Sequence, residues 1–237
     1  MNVSSIKALG FDVFGTVVDW RNSITREATA LAAQKGIEGD WARFADAWRG
    51  LYQPAMDEVR SGRRPWTKLD VLHRESLEKL LPEFGLTGLS EAERDHLNKA
   101  WHRLDPWPDA VAGLTRLKSR FTIATLSNGN VALMVDMAKR AGLPWDMVLG
   151  AEVTRHYKPQ PECYLISAEL LGLRPDELML VAAHAGDLRA AAATGLHTAF
   201  VSRPDEYGPT RKPDAPAAGE FDFLARDFED LAGQLGC

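Results

Sequence analysis

The chain has 237 residues, and its 28 Lys and Arg against 33 Asp and Glu give a formal net charge of −5. Apolar residues make up 45% and charged residues 26%, which excludes a disordered or fibrous protein. The acidic balance argues against a nucleic-acid partner, because such proteins usually carry a basic excess. This length predicts one large domain, or a core domain with an insertion.

Several features favour a cytoplasmic protein. Residues 1–7 lack a basic region followed by a long apolar stretch, so we expect no signal peptide. No apolar run approaches the roughly 20 residues of a membrane helix, so we expect no membrane partner. The two cysteines, Cys163 and Cys237, cannot form a disulfide framework or a zinc site alone. Free thiols suit a reducing compartment.

The first predicted element is a short buried strand over residues 8–14, which ends at Gly15 and Thr16. From residue 19 onwards, apolar residues recur instead with helical spacing, as at Ile24, Ala28 and Leu31. Glycine-rich breaks separate the helical stretches, and Ser90 with Glu93 forms a predicted capping box. No convincing strand is visible in this block, which predicts an all-helical insertion over residues 19–104. Its further predicted helices are 40–60, 68–81 and 90–102.

After residue 105, predicted strands and helices alternate, which implies a parallel sheet with helices on both faces. A segment rich in Pro and Gly, residues 204–218, predicts a surface loop. We therefore predict an α/β core built from residues 1–18 and 105–237. Its later strands are 121–126, 147–151, 178–183 and 197–201, and its helices are 110–118, 131–141, 162–171 and 188–194.

Four polar clusters follow predicted strands, and ligands of open parallel sheets bind at the carboxyl ends of strands. Taken singly, each cluster has an ordinary interpretation as a helix cap, a surface charge or a buried histidine. Their joint placement along one sheet edge favours an active site. The clusters are residues 12–16, Ser127 with Asn128, the loop around Lys158, and residues 184–187.

This arrangement resembles the haloacid dehalogenase superfamily over nearly the whole chain. The superfamily pattern Asp-x-x-Gly-Thr is matched by residues 12–16, and its second-strand hydroxyl by Ser127. Its Lys-Pro segment is matched by Lys158 and Pro159, and its acidic motif by the region that ends at Asp187. The resemblance implies a Rossmann-like core with a helical cap inserted after the first strand.

The chain departs from the phosphatases of that superfamily. Those enzymes generally carry a second Asp two residues after the nucleophile, where this chain has Phe14. They also tend to carry a first acid in the fourth motif, where this chain has Ala183. Only Asp12 and Asp187 would remain, and Mg²⁺ prefers an octahedral set of oxygens. We therefore expect no metal and no other cofactor.

The departures instead resemble the type II (S)-2-haloacid dehalogenases, which carry an aromatic residue two positions after the nucleophile. Members of that group place Ser and Asn where this chain has Ala182 and His184. A subgroup with Val-Ala-Ala-His at this place matches residues 181–184 and implies that His184 takes over part of the water activation. Other matched positions are Phe14, the cap segment Trp48-Arg49-x-x-Tyr52, Ser127 with Asn128, and Lys158 followed by Tyr164.

The resemblance implies hydrolysis of short 2-haloalkanoic acids to 2-hydroxy acids through an ester on Asp12, and a homodimer. A nearby ammonium, Lys158, would keep Asp12 ionised by lowering its pKa. Asp187, with Lys158 or His184, would activate water as a general base. The predicted binding residues are Thr16 and Ser127 for the substrate carboxylate, Arg49 and Asn128 for the halide, and Tyr164 as a polar contact.

Other interpretations stay open from the sequence. Fluoroacetate is one candidate substrate, and ring opening of azetidine-2-carboxylate by similar attack is another. A magnesium-dependent phosphatase that tolerates Phe14 is the main alternative. Arg49 as a solvated charge, Tyr164 as core packing and His184 as a buried structural residue are the ordinary readings of those positions. A non-enzymatic binding protein is disfavoured because all four superfamily motifs are present.

Overall fold

A six-stranded parallel sheet forms the centre of the protein, with strand order β5-β4-β1-β6-β7-β8. The computed structural model describes residues 5–237. Residues 1–4, which belong to the segment considered for a signal peptide and to the predicted core, lie outside the described residues. The sheet confirms the predicted α/β core. Its strands are β1 Ala8–Phe11, β4 Thr122–Ser127, β5 Met147–Gly150, β6 Leu178–Ala182, β7 His197–Val201 and β8 Phe223–Ala225.

Helices cover both faces of this sheet, as strands buried on both faces require. On β1, Leu9 and Phe11 belong to one buried apolar cluster and Ala8 belongs to the other. The strand therefore packs against helices on each side. The core helices are α6 Ala110–Lys118, α7 Val131–Ala141, α8 Ala151–Thr154, α9 Pro161–Leu170, α10 Ala185–Ala193 and α11 Phe228–Gln234.

The insertion after β1 is helical, as predicted, apart from its first residue. A two-residue strand, β2 Val18–Asp19, pairs antiparallel with β3 Asp105–Pro106 and joins the two chain crossings between core and insertion. The expectation of no strand in this block is therefore wrong at Asp19. The helices are α1 Trp20–Lys35, α2 Trp41–Gly50, α3 Tyr52–Arg60, α4 Leu69–Leu80 and α5 Glu91–Asn98, followed by a 3-10 segment Lys99–Arg103. The two-domain division at residues 19–104 stays a prediction.

Two other predictions of helices and strands need correction. The single helix predicted over residues 40–60 is wrong, because the chain breaks at Leu51 into two helices. Pro54 lies in the first turn of the second helix, where a missing N–H costs little. The first strand stops at Phe11, earlier than residue 14. The Asp12 N–H still donates to the Val181 carbonyl of the neighbouring strand, but the chain then turns over residues 15–17 and leaves the sheet. No helix in the described part of the chain is long and apolar enough to cross a membrane.

Candidate active site

The site is built around Asp12, which directly follows the central strand β1 and is only 7% exposed. The Thr16 hydroxyl donates a hydrogen bond of 2.7 Å to Oδ2 of Asp12. The same hydroxyl accepts one of 2.9 Å from the backbone N–H of Ala183, at the end of the neighbouring strand. Gly15 has a φ of +85°, which glycine adopts without strain, and so permits the tight turn. The local sequence thus fixes the carboxylate at the sheet edge.

Lys158 lies between the two carboxylates of the site. Its Nζ donates to Asp12 Oδ1 at 2.9 Å and to Asp187 Oδ2 at 2.5 Å. Its backbone is held by Asn128, whose Oδ1 accepts from the Lys158 N–H at 2.8 Å, and by Arg60, which donates to its carbonyl. The structure therefore brings together three of the four residues predicted to be catalytic, Asp12, Lys158 and Asp187.

The charges of this group set the pKa values of its members. Burial alone would raise the pKa of Asp12, but the ammonium of Lys158 and the ring of His184 hold it well below its ordinary value. Burial alone would lower the pKa of Lys158, but the carboxylates of Asp12 and Asp187 raise it above its ordinary value. Asp12 is therefore ionised and Lys158 is protonated at neutral pH.

His184, the fourth predicted catalytic residue, precedes α10 and joins Asp12 to a buried glutamate. Its Nδ1 lies 2.9 Å from Asp12 Oδ2, and its Nε2 lies 3.0 and 3.1 Å from the two oxygens of Glu206. Burial opposes a charged ring, but Glu206 and then Asp12 raise the pKa of His184 to about 10. Because both ring nitrogens face carboxylates, His184 is a doubly protonated imidazolium at neutral pH.

Tyr164 contacts Asp187 and does not line the cavity. Its hydroxyl donates to Asp187 Oδ1 at 2.5 Å, and its side chain lies on the fully buried face of α9. Burial, and next the charge of Asp187, raise the pKa of the Tyr164 phenol above its ordinary value. Tyr164 therefore stays protonated and orients the carboxylate of Asp187.

A cavity of about 770 Å³ lies between these strand ends and the helical insertion. Its floor carries Asp12, and its opposite wall comes from α2 and α3. A third wall is a loop, residues 202–222, which connects β7 to β8. The polar and aromatic residues that line it are Asp12, Phe14, Asn128, Lys158, His184, Asp187, Trp20, Asp46, Arg49, Tyr52, Gln53, Arg60, Tyr207, Thr210, Arg211 and Asp214.

Arg49 presents an unpaired cation to this cavity. Its guanidinium lies 4.1 Å from the ring centre of Tyr52 and 5.5 Å from that of Trp20. Its Nη1 is buried and has no hydrogen-bond partner among residues 5–237. Aromatic faces hold a cation without neutralising it. Arg49 is therefore available to an anionic group of a ligand.

The remaining predicted binding residues divide into two groups. Asn128 lines the cavity, and its Oδ1 accepts from the backbone N–H of Lys158. Ser127, in contrast, is fully buried, and its hydroxyl accepts from the N–H of Gly129 at 3.1 Å. Thr16 is likewise buried and engaged with Asp12. The hydroxyls of Ser127 and Thr16 support the strand ends and do not line the cavity.

The sequence analysis missed the contribution of the β7–β8 loop. Arg203 anchors this loop through a two-point ion pair with Asp109 and through a hydrogen bond to the Thr16 carbonyl at 2.8 Å. The loop carries Glu206 and the cavity residue Asp214, which accepts from the first N–H of α10. Its irregular, Pro- and Gly-rich sequence has no periodicity that could have predicted these contacts.

The donor set does not fit a divalent cation. Both oxygens of Asp12 already accept protein hydrogen bonds, and the Lys158 ammonium lies where a cation shared with Asp187 would sit. Phe14 packs edge-on against Trp101 at 5.8 Å between ring centres and offers no oxygen. In the described chain, no group of three His, Cys, Asp or Glu side chains is placed to hold a metal ion.

Comparisons with known proteins agree with this geometry. A family model described as haloacid dehalogenase-like hydrolase matches residues 6–195. The chain is 29% identical over 223 residues to (S)-2-haloacid dehalogenase 1 of Pseudomonas sp. strain CBS-3, covering 85% of this chain and 88% of the relative.

Two crystal structures are more similar. A defluorinating L-2-haloacid dehalogenase superposes with a TM-score of 0.95 at 50% identity, covering 98% of this chain and 96% of the other. A second L-2-haloacid dehalogenase superposes with a TM-score of 0.91 at 51% identity, covering 97% and 99%. The chain therefore belongs to the family of haloacid dehalogenase-like hydrolases, and within it to the relatives of the (S)-2-haloacid dehalogenases.

Proposed function

We propose that the protein hydrolyses short 2-haloalkanoic acids to 2-hydroxy acids without a metal, through an ester on Asp12. One observation carries this proposal: a buried, ionised Asp12 faces a cavity whose opposite wall holds the unpaired cation of Arg49. A carboxylate nucleophile and a separate anion site are what displacement of a halide from a halo acid requires. The names of the similar dehalogenases support the same reaction.

In the first step, an oxygen of Asp12 attacks C2 of the substrate as the carbon–halogen bond breaks. The halide leaves with the bonding electron pair, and an ester forms with inversion at C2. Arg49 and Asn128, which line the cavity, provide N–H donors for the departing halide. The substrate carboxylate would bind at N–H groups near Ser127 and Thr16, whose own hydroxyls are engaged.

In the second step, water attacks Cγ of Asp12 and hydrolyses the ester. Asp187, held by Tyr164 and Lys158, accepts a proton from that water. Lys158 then protonates the departing hydroxy-acid oxygen, because its Nζ lies 2.9 Å from Asp12 Oδ1. Proton transfer from Asp187 to Lys158 restores these two residues. The second water proton, left on the new Asp12 carboxyl, is released to solvent, so Asp12 ends as a carboxylate that keeps one oxygen of the water.

The test is halide release from (S)- and (R)-2-chloropropionate, chloroacetate and fluoroacetate, with and without EDTA. We expect release from the (S) acid and the acetates that EDTA does not diminish, and none from D12N. A fully active D12N, or no halide from any of these acids, would contradict the proposal. Phosphate esters with Mg²⁺ and then azetidine-2-carboxylate would be tested next.

We propose fluoroacetate as a further substrate of this dehalogenase, on the basis of one similar structure. A similar structure, 50% identical to this chain, is named a defluorinating L-2-haloacid dehalogenase. Fluoride is small and accepts hydrogen bonds strongly, so a cavity with free N–H donors suits it. Release of fluoride from fluoroacetate supports this extension. An enzyme that releases chloride from chloroacetate but no fluoride from fluoroacetate contradicts it.

We also propose a cytoplasmic homodimer. Cys163 and Cys237 are both free thiols, which suits a reducing compartment. The dimer rests on resemblance to type II dehalogenases. Light scattering on the purified protein should give twice the mass of the chain, and a monomer across the working concentration range would contradict it.

A further inference from the structure

The hydrogen bonds around Asp12 distinguish its two oxygens. Oδ2 accepts from the Thr16 hydroxyl at 2.7 Å and faces His184 Nδ1 at 2.9 Å. Oδ1 accepts from Lys158 alone among the described side chains. A carboxylate oxygen offers about two lone-pair sites, so those of Oδ2 are filled and one of Oδ1 is free. Oδ1 is therefore the oxygen that attacks carbon, and Oδ2 becomes the carbonyl oxygen of the ester.

Glu206 has an unusual position for a loop carboxylate. It is 2% exposed, and it accepts from Trp20 Nε1 at 3.2 Å as well as facing His184 Nε2. A Cβ on Gly15 would lie 2.1 Å from Glu206 Oε1, so this glycine makes room for the carboxylate directly behind the nucleophile. Burying a carboxylate costs free energy unless an opposite charge pairs with it, and the ring of His184 pairs with Glu206.

We infer that Glu206 is a positioning residue that holds His184 as an imidazolium, whose Nδ1–H joins the Thr16 hydroxyl in an oxyanion hole for ester hydrolysis. This inference rests on the proposed function. When water bonds to Cγ, the carbonyl π pair moves onto Oδ2, and both donors already point at that atom. Collapse then returns the pair to the carbonyl and breaks the Cγ–Oδ1 bond. Donors preorganised at developing charge are among the strongest sources of rate enhancement.

This assignment separates His184 from water activation. An imidazolium whose two N–H groups are both donated to carboxylates has no lone pair with which to accept a proton from water. Asp187, with one oxygen bound by Tyr164 and the other by Lys158, is left as the base. His184 therefore acts on the ester carbonyl and Asp187 acts on the water.

The charged groups around His184 determine how it titrates. Asp12 and Glu206 face its two nitrogens, Lys158 lies on the far oxygen of Asp12, and Arg49 and Asp214 line the same cavity. Glu206 and Asp12 together raise the pKa of His184 to about 10 against the effect of burial. Without the charge of Glu206, burial is opposed by Asp12 alone, so the pKa of His184 falls.

The test uses E206Q, which keeps an oxygen acceptor and removes the charge. The first readout is rapid-quench mass spectrometry of the Asp12 ester formed from (S)-2-chloropropionate. We expect ester formation close to the wild-type rate, hydrolysis slower by about 10²–10³, and therefore accumulation of the ester. E220Q is the matched control, because Glu220 lies in the same loop and pairs with Arg189 at the surface.

The second readout is the pH dependence of ester hydrolysis, which a merely structural role would not move. Wild-type hydrolysis should decline only as the pH rises towards 10, and in E206Q the decline should begin at lower pH. If E206Q does not fold, H184Q tests the same contact: hydrolysis should slow and the alkaline decline should disappear.

Three results overturn the inference while the proposed function stands. They are E206Q hydrolysis at the wild-type rate and pH profile, equal slowing of both steps in E206Q, and an H184Q enzyme that keeps the alkaline decline. Failure of the proposed function itself is distinct, because the wild-type protein would then form neither ester nor halide.

Discussion

In the pH–rate profile, replacing Lys158 with Met should shift the loss of activity at acidic pH to higher pH, because Asp12 would be protonated more easily. The Lys158 side chain is 6% exposed, and its Nζ forms ion pairs with Asp12 Oδ1 at 2.9 Å and with Asp187 Oδ2 at 2.5 Å. Removing one member of such a buried pair costs about 3–5 kcal/mol. At about 1.36 kcal/mol per pKa unit, the lower figure corresponds to a rise of roughly two units or more in the apparent pKa of Asp12.

The assay is halide release from (S)-2-chloropropionate across the pH range, with thermal unfolding measured in parallel. At the plateau above the shifted limb, kcat should still fall by about 10²–10⁴, because the proton relay between Asp187 and the ester is gone. K139M, which removes an exposed lysine on α7, is the control and should behave as wild type. An unmoved acid limb together with a wild-type kcat in K158M would refute the reasoning.

The remaining predictions concern binding, stability and pH. R49K should lower kcat/KM by about 10²-fold or more, because an ammonium cannot reproduce the planar guanidinium over the Tyr52 ring or its several N–H donors; wild-type kinetics would contradict the anion site. N128A should cost about 10²–10³ in halide-release rate, and an unaffected rate would remove Asn128 from the halide site. G113A should destabilise the fold by about 1–3 kcal/mol, because a Cβ there would lie 2.4 Å from a side-chain atom of α11. G233A, where a Cβ meets nothing within 4 Å, should instead stabilise by about 0.5–1 kcal/mol in urea unfolding; equal effects of the two would be inconsistent with this packing. The stabilisation by His184 should be complete below about pH 6.5 and be lost as the pH rises to about 10, because folding raises its pKa. The difference in unfolding free energy between wild type and H184Q should therefore shrink over that window, and a constant difference would contradict it.

The core strands were predictable because burial on both faces leaves a continuous apolar run. Residues 178–182, Leu-Met-Leu-Val-Ala, are such a run, and the structure confirms the strand predicted over 178–183 within one residue. The strand predicted over 197–201 is also confirmed, although it begins with the polar His197 and Thr198. β8 and α11 escaped detection for the opposite reason. Phe223–Ala225 is only three residues long, and α11 is a seven-residue helix capped by Asp227, too short for a clear period.

The helix break at Leu51 could have been predicted from the sequence, because two residues that disfavour a helix interior lie close to it. Gly50 and Pro54 flank it, and a proline in a helical pattern is tolerated only near a helix start. Treating that pair as a boundary would have separated α2 from α3. The break matters for the site, because Arg49 lies in the last turn of α2 and Tyr52 begins α3, and both side chains line the cavity.

The motif residues at strand ends could be predicted together because parallel strands deliver their carboxyl ends to one edge. Asp12, Lys158, His184 and Asp187 meet there as expected. Glu206 could not be predicted in this way. It comes from an irregular loop, and its approach to His184 depends on the three-dimensional course of that loop.

The most direct measurement of the central claim is a single turnover of (S)-2-chloropropionate in ¹⁸O-labelled water with enzyme in excess. If Asp12 forms the ester and water attacks its Cγ, the label enters the Asp12 carboxylate and the 2-hydroxyl oxygen of the product stays unlabelled. If water displaces the halide directly, the product hydroxyl carries the label and Asp12 does not, which would contradict the account.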